Sequence, residues 1–390
     1  MKEVLPIRNK FGLFLRSILF GLVLICFLAF KGNIERIAII FITLIFISFL
    51  TDKKFSNIYF TVFLGGIILG YTLGNLILYY YTNNFDTPYN SGYQINKHKD
   101  PKVAVMIVGE GESPTYDFSV VLKNIYNNGN WIKKILAPIE AFKYKLAYEK
   151  AGKSIYNDLC KEISNKLQIL LGPEYDIHSS FLHVTPNIYN ELAALGKRYD
   201  KIILAPLLLN QSKEYINMEE KISEIALGTQ SQIEIIPLLW QSEKLARQMV
   251  MKIAKQTKIE ARGLTGVIVL RSDKKINLHQ ENGFITRFIK NMKKHGYDVN
   301  KVLTVDFIDS KSIKIGVHKL QERGINKVIV VSMSSLIDNV SRQWKIDNIV
   351  KDISSKEQIK IIYINGWGIG ENLLNELEIN IRLSKLKDFK

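Results

Sequence analysis

Three long apolar runs fill the first 82 residues, and nothing like them recurs in the rest of the chain. They cover 11–30, 37–51 and 58–81, and only Arg16 and Ser17 interrupt the first. A helix rises about 1.5 Å per residue, and crossing a bilayer takes about 20 apolar residues, within a range of roughly 17–25. The first and third runs reach that length. The second is short and reads either as a span or as an interfacial or re-entrant segment. The expectation is an α-helical transmembrane anchor over 1–82, with three spans. A cleaved signal peptide competes for the first run, which starts basic with Lys2, Arg8 and Lys10. No small-x-small site precedes Lys31, and more apolar runs follow, so a retained anchor is expected.

The third run carries Gly66, Gly70 and Gly74, four apart and so on one helix face. Small residues at that spacing let helix backbones approach closely. The stripe reads either as packing against the first two spans or as a contact for a homo-oligomer. Tyr79, Tyr80 and Tyr81 then mark an aromatic belt at the membrane interface. Lys and Arg gather before the first run and between the second and third, against Lys31 and Arg36 on the other side. With three spans, that bias puts the N-terminus inside and the part after the anchor outside the cytoplasm; if the second run does not span, that part is inside.

Residues 1–100 hold ten Lys/Arg and five Asp/Glu, so most of the formal net charge of +16 lies beyond them. The basic residues are scattered and interleaved with acidic ones, so no nucleic-acid partner is expected, and membrane lipid suits the Lys excess. Two cysteines, Cys26 and Cys160, exclude a disulfide scaffold and a cysteine-based zinc site.

A polar stretch with Pro88, Gly92 and several Asn reads as a linker over 83–100. Beyond it, eight short β-branched runs alternate with helical patterns. They cover 103–108, 176–184, 202–207, 233–238, 266–270, 302–307, 328–331 and 359–364. Continuous apolar strands separated by helices predict parallel sheets covered on both faces. The segment from Lys201 through Pro206 echoes the segment from Lys327 through Ser332, each a buried strand, then a loop and a long helix. The expected fold is therefore α/β, with two similar Rossmann-like halves of four parallel strands each, at 101–257 and 258–390. A site is expected in the cleft between them, beyond the carboxyl ends of the strands.

Six segments in this part resemble the ferrochelatase family, within the class II chelatases, and they occur in the family's order. Val103–Gly109 resembles the opening strand and glycine turn, and Ala151-Gly-Lys-Ser154 a Gly-Gly-x-Ser turn. Ile202-Ile-Leu-Ala-Pro206 with the following Leu-Leu-Leu-Asn-Gln211-Ser212 resembles Leu-Pro-Leu-Tyr-Pro-Gln-Tyr-Ser. Ile233-Glu-Ile-Ile-Pro237-Leu-Leu-Trp240 resembles the next strand. Asp338-Asn-Val-Ser-Arg-Gln-Trp344-Lys-Ile-Asp347 resembles Asp-His-x-Glu-x-x-Tyr-x-x-Asp. Ile364-Asn365 and the helix from Glu371 resemble the C-terminal Leu-Asn and helix. The resemblance implies a metal-chelatase lyase of haem biosynthesis that inserts ferrous iron, or another divalent metal, into a porphyrin. It makes porphyrin or haem the implied ligand.

The departures bear on activity. The family's metal-insertion histidine falls on Arg271, its catalytic glutamate on Ser341 and a neighbouring histidine on Asn339. The chemistry needs an imidazole or carboxylate to take two pyrrole protons and pass on the metal. Arginine stays protonated in proteins and can do neither. A serine without an adjacent base is a poor substitute for glutamate. A non-catalytic binding or scaffold module in a membrane complex is therefore the alternative to an enzyme.

The remaining candidates sit at strand ends. Glu110 falls where related chelatases carry a histidine, and reads either as a metal ligand or base, or as a solvated loop carboxylate. Glu112 follows it. His183 ends its strand and is the second candidate metal ligand. Arg271 suits a carboxylate or phosphate, or else pairs with Asp273 or Asp338. Gln211 and Ser212 lie in the matched loop. Asp338 keeps the family's acid or caps the next helix. Trp344 stacks on a flat macrocycle or belongs to the core. The glycine run at Gly366, Gly368 and Gly370 reads as a turn into the last helix, since its spacing is not that of a dinucleotide loop.

Overall fold

Apolar runs without a breaker stay helical, and the computed structural model has three such helices at the start: α1 (Ile7–Ala29), α2 (Asn33–Thr51) and α3 (Asn57–Asn84). The structure describes residues 7–51, 57–84, 102–228, 231–271, 277–307 and 310–386. Most of the expected linker, and Asp273, lie outside the described residues. Among the described residues, two stretches are long and apolar enough to cross a membrane: Phe11–Ala29, with mean hydropathy 2.4, and Phe60–Thr82, with 1.8. Phe11, Ile40, Ile68, Leu76 and Ile77 are all more than half exposed, an apolar surface on all three helices. The glycine stripe of α3 faces α1 of the same chain. A Cβ on Gly66 would sit 2.5 Å from the Ser17 Cβ, and one on Gly74 would sit 2.8 Å from Ile25. At Gly70 it would run into the Ile18 carbonyl. The face considered for a second copy is thus covered by α1.

Three of the four helices between the first and second strands join this helical unit rather than the sheet, so the expected half at 101–257 is interrupted. Thr115–Lys153 forms one compact body with the first three helices. It contains α4 (Phe118–Asn128), α5 (Trp131–Ile135) and α6 (Ala137–Ala151). Asp117 caps α4 by accepting the Ser119 amide, and Asn130 caps α5 by accepting the Lys133 amide. Phe118 packs on Phe30 with ring centroids 4.2 Å apart. Lys145 of α6 is buried, and its Nζ donates to the carbonyls of Phe27 (2.8 Å) and Phe30 (3.2 Å). It also pairs with Glu35 at 3.0 Å. A cation there satisfies carbonyls that the end of α1 leaves without helical partners.

The second unit is α/β. Its strands are β1 (Val103–Gly109), β2 (Tyr175–Phe181), β3 (Lys201–Pro206), β4 (Gln232–Ile235), β5 (Thr265–Arg271), β6 (Val302–Asp306), β7 (Lys327–Ser332) and β8 (Lys360–Ile364). All eight expected strands are present; β4 stops two residues short of Pro237. They form two parallel four-stranded sheets, ordered β2-β1-β3-β4 and β6-β5-β7-β8, the same crossover pattern twice. The helices are α7 (Tyr156–Leu171), α8 (Ile188–Leu195), α9 (Lys213–Gly228), α10 (Glu243–Ala254), α11 (Leu278–Lys294), α12 (Ser310–Gln321), α13 (Val340–Glu357) and α14 (Glu371–Leu386).

Alternation along the central strands sorts their side chains into three cores. Ala104, Met106, Ile202 and Leu204 pack under α8 and α9. Ile268, Leu270, Val328 and Val330 pack under α12 and α13. The opposite faces, with Val105, Ile203, Val267 and Ile329, share one core with α7, α10, α11 and α14, which joins the halves. The last helix crosses over: Lys201 Nζ donates to the Ser384 carbonyl at 2.9 Å, and Ser384 Oγ to Glu234 at 2.9 Å. In return, Gln248 of α10 donates to the carbonyls of Trp367 and Gly368. The boundary expected at 257/258 is therefore crossed by an exchange of helices.

Candidate functional site

The turn after β1 brings two of the expected residues together. Gly111 has φ +79°, and a Cβ there would lie 2.5 Å from the Phe181 Cβ, so only glycine permits this approach. The close passage lets the His183 amide donate to the Glu110 carbonyl (3.1 Å) and the Leu182 amide to the Gly109 carbonyl (3.0 Å). The Glu110 amide donates to the Tyr156 hydroxyl at 3.1 Å. Beneath it, burial and then the Glu110 charge push the Cys160 thiol up to about 12.

Glu112 has a structural task. Its carboxylate accepts from Ser154 Oγ (2.6 Å) and from the Val340 amide (2.9 and 3.2 Å), the first residue of α13. A carboxylate at a helix N-terminus meets the positive end of the helix dipole. Gln211 also bridges the halves: its amide donates to Gln280 (2.8 Å), and its side-chain oxygen accepts from Asn277 (2.7 Å). Ser212 caps α9, accepting the Tyr215 amide at 3.2 Å.

Arg271 ends β5, and the parallel register sets it beside Asp306, the last residue of β6. Their charges meet at 2.7 Å, and Arg271 also reaches Asn282 at 3.4 Å. The pairing considered with Asp338 is not formed. Asp338, its side chain 1% exposed, pairs instead with Arg342 at 3.3 Å. It accepts from Ser332 (2.8 Å), Ser335 (3.2 Å) and the Tyr363 hydroxyl, while its amide donates to Asn365 (2.6 Å). Burial, then the Asp338 charge, raises the Tyr363 phenol. The helix N-cap is the neighbouring Asn339, which accepts the Arg342 amide. Ser341 and Trp344 lie half-buried in the first two turns of α13.

The glycine run is a turn. Gly366 has φ +59°, and the amides of Trp367 and Gly368 donate to the Ser335 and Leu336 carbonyls. A phosphate cradle needs such amides free.

Asn365 belonged to a matched segment, whereas Asp306, Arg342 and Tyr363 were not singled out in the sequence. Of those three, Arg342 carried a local signal, standing four residues after Asp338 on a helical pattern. A further cluster joins the halves through Trp240, whose ring meets His279 edge-on at 6.0 Å and lies under the Arg287 guanidinium at 5.6 Å. Beside it, a cavity of about 390 Å³ is lined by Glu243, Gly283, Thr286, Arg287 and Lys290.

Among the described residues, no three His, Cys, Asp or Glu side chains converge as a metal-ligating group. Glu110 and His183 alone make an incomplete set, so a resident metal does not fit these residues.

No protein-family model matches this chain. No curated protein matches it either. Solved structures do. The sirohydrochlorin chelatase SirB of Bacillus subtilis subspecies spizizenii, in complex with cobalt, is 16% identical over 72% of this chain and 94% of its own, with a TM-score of 0.46. CbiX, the terminal enzyme for biosynthesis of siroheme in denitrifying bacteria, is 12% identical over 72% of this chain and 98% of its own, with a TM-score of 0.44. The transcription regulator CcpA of Lactococcus lactis is 13% identical over 73% and 91%, with a TM-score of 0.32.

Proposed function

We propose that this is a membrane-anchored, chelatase-like protein that binds a tetrapyrrole at the carboxyl ends of its strands and has little or no metal-insertion activity. The six ordered segments that resemble ferrochelatases support the ligand class. The observation that carries the loss of activity is the 2.7 Å pair between Arg271 and Asp306. A guanidinium held by a carboxylate occupies the place of the proton-accepting imidazole, and it neither accepts a proton nor hands over a metal. Ser341, at the glutamate's place, sits in the first turn of α13 and supplies no carboxylate. Arg271, Arg342 and Trp344 remain as cationic and aromatic groups suited to propionates and a flat macrocycle. Counted over three spans, the Lys/Arg bias favours an extracytoplasmic α/β part, away from the place where porphyrin is metallated; counted over two, it favours the inside.

The test is an ultraviolet–visible titration of the full chain in detergent with porphyrin and with haem, each with and without ferrous, cobalt and zinc ions. Saturable shifts of the Soret band without metalloporphyrin formation are expected. Insertion at about 1 per second or faster, the usual enzyme range, would overturn the reading. One set of contacts favours a second reading, a scaffold without a ligand: the bonds of Gln211 and Glu112 tie the two halves together at the strand ends. Absence of any spectral shift would select it.

A further inference from the structure

The helical unit exposes a second apolar surface away from its three long helices. α5 and the start of α6 present Trp131 (71% exposed), Ile132, Ile135, Leu136 and Ile139 to the surroundings. Lys133, between them, is also exposed. The end of α5 adjoins α3, and polar groups inside that apolar span hold it there. The Asn75 side-chain amide donates to the carbonyls of Lys134 (3.0 Å) and Ile135 (3.2 Å), and the Tyr71 hydroxyl donates to Ile135 (3.1 Å). Tyr126 of α4 donates in turn to the Asn75 side chain at 2.6 Å.

These bonds answer two needs at once. Polar side chains in a membrane span are costly unless partnered, and carbonyls at the end of a short helix find no water in hydrocarbon. Asn75 and Tyr71 supply donors where α5 ends, so the turn can sit below the water interface with its backbone satisfied. Depth follows from the sequence of α3. Asn75 precedes Tyr79, the first tyrosine of the belt, by four residues, or about 6 Å of helix. Interfacial helices bury their apolar faces by about 5–10 Å, with aromatic rings at headgroup level and basic residues reaching lipid phosphates.

We infer that the insertion Thr115–Lys153 is a membrane-embedded element, with the face of Trp131, Ile132, Ile135, Leu136 and Ile139 seated in the headgroup–acyl boundary and Lys133 at the phosphates. The inference rests on the membrane-anchored reading above. It assigns the bilayer, rather than a protein, as the occupant of this patch, because the patch is bonded to a helix long and apolar enough to cross a membrane.

The full chain is reconstituted into mixed phosphatidylcholine and phosphatidylglycerol vesicles whose phosphatidylcholine is brominated either near the headgroup or near the chain end. Headgroup-proximal bromines are expected to quench part of the tryptophan emission more strongly than deep ones, and Trp131→Phe is expected to abolish that part while the protein still floats with the vesicles. The other tryptophans, Trp240, Trp344 and Trp367, lie in the α/β unit. Flotation with identical quenching of wild type and Trp131→Phe overturns the inference. So does a concentration-dependent dimer that Ile132→Lys dissolves, since a second copy would then cover the patch. Failure to float at all refutes the anchored reading itself.

Discussion

The Glu112 carboxylate accepts the backbone N–H of Val340 at 2.9 and 3.2 Å, across 228 positions of sequence. One residue in the turn after β1 thereby adds a carboxylate to the N-terminus of α13, beside the N-cap Asn339. Ser154 donates to the same carboxylate at 2.6 Å, so the bond also fixes the start of α7. Replacing Glu112 with Ala leaves the Val340 amide and the Ser154 hydroxyl without their acceptor. A loss of about 1–3 kcal/mol is expected, with Glu112→Gln losing less. Urea unfolding of the full chain in detergent measures it, and a change within about 0.5 kcal/mol of zero for the alanine variant would remove Glu112 from the contacts that join the halves.

Asp338 should be among the most sensitive polar positions. Its buried carboxylate takes hydrogen bonds from Ser332, Ser335 and Tyr363 and pairs with Arg342. Breaking a buried pair by neutralising one partner costs about 3–5 kcal/mol. Asp338→Asn is expected in that range, and adding Arg342→Gln should cost less than the sum of the single changes. Additive losses in a double-mutant cycle would show that the two residues do not act together.

Ligand binding should depend on Glu110 and His183, which the His183–Glu110 backbone bond sets side by side. Glu110→Gln and His183→Ala are each expected to weaken metalloporphyrin binding at least about tenfold, or roughly 1.4 kcal/mol, with thermal stability near wild type. Unchanged affinity in both variants would move the ligand away from this corner.

Restoring the missing groups should restore some chemistry. Arg271→His with Ser341→Glu is expected to raise metal insertion above the wild-type background. The change also releases Asp306 from a partly exposed pair, at a cost of about 1 kcal/mol or less. A stable double variant with no gain in metalloporphyrin formation would mean that the cleft no longer positions a porphyrin for metallation.

Cys160 should leave a signature in alkaline stability. Its folded thiol is held at about 12, against an ordinary value of 9.0, first by burial and then by Glu110. Above pH 9 the unfolded chain loses this proton while the native chain keeps it. The contribution is therefore complete below about pH 9 and falls as pH rises towards 12, by up to about 1.4 kcal/mol per pH unit. Cys160→Ala should flatten the slope of unfolding free energy between pH 9 and 10, where the tyrosine contributions are common to both proteins. Equal slopes for the two proteins would show that the native thiol titrates like an exposed one.

Local pattern alone made much of the fold legible. β-branched runs such as those of β5 and β7 have to be buried on both faces, and the helical periods between them leave a parallel sheet as the solution. The apolar runs of α1 and α3 are likewise legible as helices long and apolar enough to cross a membrane. Partners were not legible, because a pattern records that a face is buried but not against what. The helices of Thr115–Lys153 carry no mark in their sequence of what they cover, and they pack with α1 and α3. Arg271 and Asp306 end two different strands, and only the parallel register makes them a pair. Lys201 meets Ser384 because α14 crosses to the opposite half. The sequence determined which residues must leave water; the tertiary structure decided which of them meet, because pairing depends on strand order, register and crossover, which no local stretch of chain contains.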